Sequence, residues 1–195
     1  MIRLSLCLAI TLTMITLVGC ASPKAQFYTL SAEAPREGVN RGSPVTVVIG
    51  AVSVPELVDR PQIVVRAGTN HVAIEEFARW AESLKSQIPH VVAADLSQLL
   101  NSPRVSTSPI GGDPTAVWRV RMDVQRFEAD LGDAATVDVL WSVSPPGKAS
   151  PLTGRTVVRE PCTGVGYDAA VAAWSRALAT VSRDVAAAIR PAASP

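Results

Sequence analysis

Trp118-Arg119-Val120-Arg121-Met122-Asp123-Val124-Gln125 alternates apolar and polar residues without a break. A period of two sets Trp118, Val120, Met122 and Val124 on one face of a strand and Arg119, Arg121, Asp123 and Gln125 on the other. The segment therefore predicts a strand with one buried and one polar side. Val137, Val139, Trp141 and Val143 repeat the pattern around Asp138 and Ser142. The tight break at Gly132 and Asp133 makes the two runs antiparallel neighbours. A further strand over about Thr153 to Glu160, after the Pro145-Pro146-Gly147 turn, completes a meander. Asp123, Glu128, Asp130 and Asp138 fall on its polar face and are expected to be solvated.

Towards the N-terminus, Asn101 to Pro114 is a loop punctuated by Pro103, Pro109, Gly111, Gly112 and Pro114. Before it, Leu84, Ile88, Val91, Val92, Leu96 and Leu99 recur at helical spacing, which predicts a helix over Ala81 to Leu100 with one core-facing side. Pro89 lies inside it and removes an amide donor, so a kink or two consecutive helical pieces is expected. Gln62 to Arg66 and His71 to Glu75 predict a hairpin around Ala67-Gly68-Thr69. Val45 to Val54 predicts a strand, and Phe27 to Leu30 a small one followed by a polar loop to Ser43. Beyond the meander, Tyr167, Val171, Trp174, Leu178, Val181, Val185 and Ile189 trace a second core helix, with Arg176, Arg183 and Asp184 off its stripe and solvated. Together these elements predict an α+β fold: a mainly antiparallel sheet with two main helices packed on one face.

The extreme N-terminus has a different character. Arg3 precedes an apolar run from Leu4 to about Val18 that closes in Leu17-Val18-Gly19-Cys20. At roughly 15 residues the run is short of the ~20 that span a bilayer core. Charge, apolar stretch and a small residue before a cysteine, in that order, resemble a bacterial lipoprotein signal peptide. The resemblance implies cleavage before Cys20 and acylation of its sulfur and freed amine, and two or three acyl chains hold a protein on a membrane durably. Ala21, where an aspartate favours retention at the inner membrane, points to the outer one. The expected organisation is signal peptide over 1–19; lipidated Cys20, tether, short strand and polar loop over 20–43; one domain over 44–190; and a frayed tail over 191–195.

Composition narrows the function. The chain has 18 basic and 17 acidic residues, and loss of Arg3 with the signal leaves the mature protein formally neutral. Its arginines are spread singly, so no cluster calls for nucleic acid or a polybasic membrane patch. Of the three cysteines, Cys7 leaves with the signal and Cys20 carries lipid, so Cys162 has no partner and is expected to be a small core residue. His71 and His90 lie in different elements without metal-ligand spacing. No G-x-S-x-G elbow occurs, and Gly164-Val165-Gly166 lacks the third glycine of a dinucleotide loop. The residues predict neither an enzyme nor a cofactor.

A set of short motifs resembles the ABC-type transport auxiliary lipoproteins of the PqiC/YmbA type. They are Phe27-Tyr28-Thr29-Leu30; Val54-Pro55-Glu56 with Asp59-Arg60-Pro61-Gln62-Ile63-Val64; Arg79-Trp80-Ala81-Glu82; Gly166-Tyr167-Asp168-Ala169; and Ser182-Arg183-Asp184-Val185-Ala186. The resemblance implies an outer-membrane-anchored periplasmic component of an intermembrane lipid transport system. It would dock an MCE-type protein that bridges from the inner membrane, beside an ABC permease and ATPase in some relatives, as a ring of identical subunits. A lipid carrier and a helper of outer-membrane channel assembly are the alternatives. Asp59, Arg60, Pro61, Gln62, Arg79, Trp80 and Glu82 are candidates for a partner surface, or for a structural role in which Asp59 and Arg60 shape a turn fixed by Pro61 and Trp80 begins a core helix.

Overall fold

The computed structural model describes residues 23–35, 45–109, 111, 113–147 and 150–192. The expected signal peptide, Cys20, most of the polar loop and the end of the tail lie outside them. The alternating runs become β6 (Trp118–Ala129), β7 (Ala134–Ser144) and β8 (Leu152–Pro161), an antiparallel meander in which Val120 pairs with Val143, Val124 with Val139, and Val139 with Thr156. Gly132, at φ +79°, supplies the left-handed position of the β6–β7 turn.

Alternation assigns a strand its faces but not its direction: the meander and the hairpin pair antiparallel, as a mainly antiparallel sheet requires, while other strands join in parallel. β2 (Val47–Ser53) joins β6 in parallel, and the two-residue β5 (Val105–Ser106) pairs in parallel with β2, giving the order β5-β2-β6-β7-β8. A second sheet of order β1-β4-β3 combines the predicted hairpin, β3 (Gln62–Gly68) and β4 (His71–Trp80), with β1 (Gln26–Tyr28) parallel to β4. The larger sheet is mixed because the chain returns from β2 to β6 through a crossover containing a helix, which parallel strands require, and the smaller one because β1 reaches β4 only after the chain has passed through β2 and β3.

That helix, α1 (Leu84–Leu99), starts three residues later than expected, because β1 and Pro61 hold the end of β4 extended as far as Trp80. Ser83 caps it, its hydroxyl accepting the Ser86 amide at 3.3 Å. α1 is a single helix through Pro89 rather than two pieces. The donor missing at Pro89 is the one that would reach the Lys85 carbonyl, in the first turn where Lys85 is exposed and water can take its place.

The second helix, α2 (Gly166–Ala192), lies against α1 on one side and β7 and β8 on the other. Buried Ala170, Ala173, Ala177 and Ala186 let it approach both closely. The largest packing unit joins all layers: Trp174 of α2 stacks on Phe127 of β6 at 4.8 Å and 11°, and Trp80 of β4 lies 5.5 Å from Trp174 and 6.2 Å from Phe127. Cys162 is buried, as expected, and burial pushes its thiol pKa up.

Three polar residues are less solvated than their positions suggest. Arg176 is half-buried and ties α2 to the end of β8, donating to the Pro161 carbonyl at 2.6 Å and meeting Glu160 at 3.4 Å. Asp123 and Asp130 are exposed, but Glu128 is half-buried and Asp138 is only 2% exposed. Arg155, reaching across from β8, covers Asp138 with hydrogen bonds of 2.9 and 2.7 Å. Those bonds hold the Asp138 carboxyl below the usual carboxylate range against the opposing pull of burial. A carboxyl with a depressed folded-state pKa stabilises the fold above its unfolded pKa of about 3.9 and loses that contribution as pH falls through the lower, folded value. Urea midpoints measured from pH 6 to pH 2 should therefore fall more steeply for the parent than for Asp138→Asn.

Trp141 lies across Gly154, its cross-strand partner, and donates from Nε1 to Thr156 Oγ1 at 3.0 Å; Thr156 in turn donates to Asp184 of α2 at 2.6 Å. A Cβ at Gly154 would penetrate the indole ring. Gly154→Val should cost about 1–3 kcal/mol by displacing Trp141, read as a lower urea midpoint.

Candidate functional site

The two motif runs meet at the junction of the sheets. A turn closed by the Val58 and Asp59 amides on the Pro55 carbonyl, at 3.0 and 3.2 Å, delivers Asp59-Arg60-Pro61 to the start of β3. The Pro61 carbonyl then accepts the Trp80 amide at 2.7 Å, and Gln62 pairs in register with Arg79. Asp59 is held by Lys85 of α1 at 2.6 Å. Glu82 accepts the Ser86 hydroxyl at 3.1 Å, while its backbone carbonyl takes Gln87 Nε2 at 2.7 Å. Residues 59–61 and 80–83 line a cleft of about 280 Å³.

The motif residues in and beside that cleft divide by role, Gln62 and Arg79 lying outside its lining. The Trp80 ring is 4% exposed and packs on Trp174 and Phe127, at the end of a strand rather than the start of a helix. Asp59, Pro61 and Glu82 are exposed, while Arg60, Gln62 and Arg79 are half-buried. Arg79 lies 3.8 Å from Glu76, which also meets Gln62 at 3.4 Å. The Nε atoms of Arg60 and Arg79 are covered and have no hydrogen-bond partner. A buried donor left unsatisfied costs about 1–3 kcal/mol, which the packing around these two side chains has to offset.

A second constellation, absent from the motifs, holds the segment that leads in from the N-terminus. The Leu30 amide donates to Gln87 Oε1 at 2.8 Å, Ser31 to Ser175 Oγ at 3.1 Å, and Ala34 to Asp95 Oδ1 at 2.9 Å. The Tyr28 carbonyl takes the Ala81 amide at 2.9 Å. Gln87 is 6% exposed, and Asp95, Ser175 and Ser182 are fully buried. Ser182 completes the cluster by donating to Asp95 Oδ2 at 3.2 Å. Residues 28–34 are thus strapped to both helices by backbone amides meeting buried side chains. The sequence does carry a trace of this: Gln87 and Asp95 interrupt the apolar stripe of α1 at core-facing positions, which a buried polar residue occupies only with partners.

Among the described residues no three His, Cys, Asp or Glu side chains gather as a metal site, and His71 and His90 are both exposed. None of their helices is long and apolar enough to cross a membrane. The family profile described as ABC-type transport auxiliary lipoprotein component matches residues 28–186, from β1 to the last third of α2. The chain belongs to this family. The match takes in both motif runs and every residue of the strap. Two solved structures share the fold of this auxiliary lipoprotein. One, of an uncharacterised protein, has a TM-score of 0.70 at 19% identity over 86% of this chain and 99% of the other. The second, a Xanthomonas campestris protein of the DUF330 family, has a TM-score of 0.64 at 18% identity over 83% and 93%. No curated protein matches the chain significantly.

Proposed function

We propose that this auxiliary lipoprotein is anchored through Cys20 to the periplasmic face of the outer membrane, where it docks the far end of an MCE-type lipid bridge, several copies forming a ring around it. The family match carries the reading, because it ties the whole domain to an ABC-type transport system. The space between the helices and the sheets supports docking over cargo held there, while an open, largely apolar cleft of about 880 Å³ lies elsewhere, bordered by Val52, Met122, Leu140 and Trp141. The space between the helices and the sheet is filled by Trp174, Phe127, Trp80 and Trp118 with aliphatic rows from both sheets. A carrier needs an apolar cavity of several hundred cubic ångströms in that position. The cleft at residues 59–61 and 80–83 presents the partner with half-buried Arg60 beside exposed Asp59, Pro61 and Glu82.

Detergent extraction of the tagged protein from its native envelope tests this. An MCE or ABC permease subunit should co-purify, and Arg60→Ala should weaken the association about tenfold while leaving the fold intact. Stoichiometric phospholipid without such a partner would overturn docking in favour of a carrier.

A further inference from the structure

Two phenylalanines stand in the open on the strands that follow the proposed anchor. Phe27 of β1 is 65% exposed and Phe77 of β4 is 48% exposed. Register pairs Phe27 with Arg79, two residues along β4 from Phe77, so the aromatic rings and the guanidinium share the outer face of the smaller sheet. The inner face is buried, with Ala78 and Trp80 in the core and Tyr28 packed against it. Apolar side chains exposed singly are ordinary, whereas adjacent exposed aromatics on one sheet face mark a contact surface.

Chain length indicates what covers them. Six residues separate Cys20 from Phe27, and the seven extended steps between them reach about 25 Å. The strap through Leu30, Ser31 and Ala34 binds the segment after β1 to both helices, so β1 cannot swing away from the body. An acylated Cys20 would therefore hold this face within a short distance of the lipid. Exposed Lys24 lies three residues before Phe27 in the chain, Arg79 is the register partner of Phe27, and Glu76 is paired with Arg79. Aromatic rings with cationic side chains at their border suit the layer between acyl chains and phosphates.

We propose that the outer face of β1 and β4, carrying Phe27 and Phe77, rests in the headgroup layer of the bilayer that holds the anchor and sets the tilt of the domain on that membrane. The occupant is the lipid surface itself. This rests on the anchored reading above. Contact through two rings adds little to the hold of an acyl chain; what it adds is a fixed orientation of the domain.

The test uses the full acylated chain, carrying Cys162→Ala, reconstituted in phosphatidylethanolamine and phosphatidylglycerol vesicles at 3:1. A nitroxide is placed on Glu76→Cys, beside the rings, or on Thr153→Cys, on the exposed face of β8. Relative accessibility to oxygen and to a nickel chelate reads depth. The residue 76 probe should report phosphate depth and the residue 153 probe bulk water. The double variant Phe27→Ser with Phe77→Ser should move the residue 76 probe to the water value with its melting temperature unchanged, both rings being exposed. Vesicle flotation with both probes in water overturns the lipid contact and spares the anchor. Spin–spin broadening of the residue 76 probe replaces the lipid by a second copy of the chain, and failure to float overturns the anchored reading together with the contact.

Discussion

Trp174→Ala is expected to remove about 3–5 kcal/mol of stability, a large fraction of the 5–15 kcal/mol typical of a whole domain. The indole is 1% exposed, stacks on Phe127 at 4.8 Å and lies 5.5 Å from Trp80. Its Nε1 donates to the Glu128 carbonyl at 3.1 Å. Truncation opens a cavity where α2, β6 and β4 meet and strips an acceptor inside it, so lost burial, lost stacking and a lost hydrogen bond all act in one direction. Trp174→Phe keeps much of the stack and should cost only about 1–2 kcal/mol. Urea denaturation checks both: the midpoints should fall in that order at an unchanged slope. A Trp174→Ala cost under about 2 kcal/mol would mean that the three rings do not join the two sheets.

The second large effect is expected at Asp95. Its carboxylate accepts the Ala34 amide and the Ser182 hydroxyl, at 2.9 and 3.2 Å, with the side chain fully buried. Asp95→Ala leaves the Ala34 donor without a partner and should cost about 2–4 kcal/mol, with residues 28–34 loosened enough for limited proteolysis to cut there first. Asp95→Asn can still accept from Ala34, while its amide donates to Ser182.

Burial raises the Asp95 pKa, against the lowering hydrogen bonds from Ala34 and Ser182. The folded state therefore holds the Asp95 proton more tightly than the unfolded chain. Its contribution is complete below the unfolded pKa, near 3.9, and declines as pH rises through the higher folded value. Asp95→Asn should remove that decline and match or exceed the parent at pH 7, while Asp95→Ala falls below it. Equal loss in both variants at neutral pH would show that the carboxylate charge, rather than its acceptor, holds the strap.

Residues that lie beside each other in the chain carried most of what was legible beforehand. The meander, the hairpin over β3 and β4 and both helices follow from apolar spacing, because facing the core is a local property of a period of two or 3.6. The parallel placement of β2 against β6 and of β1 against β4 does not follow, since strand direction depends on which distant segments meet. The end of α1 had the same difficulty: Trp80 sits next to a helical pattern, yet pairing with β1 and Pro61 keeps it in a strand. Asp138 looked like a solvated acid on a polar face and is covered by an arginine from the neighbouring strand.

From its sequence alone this chain determined its α+β class, the core faces of its strands and helices and its motif runs, because hydrophobic spacing and short motifs act through neighbouring residues. Only tertiary structure decided that the two motif runs form one cleft, that Trp80 is a core ring, and that Gln87, Ser175 and Asp95 clamp the segment entering from the N-terminus. Those outcomes depend on residues 19 to 144 positions apart meeting in space, where burial turns an ordinary polar side chain into the acceptor of a backbone amide.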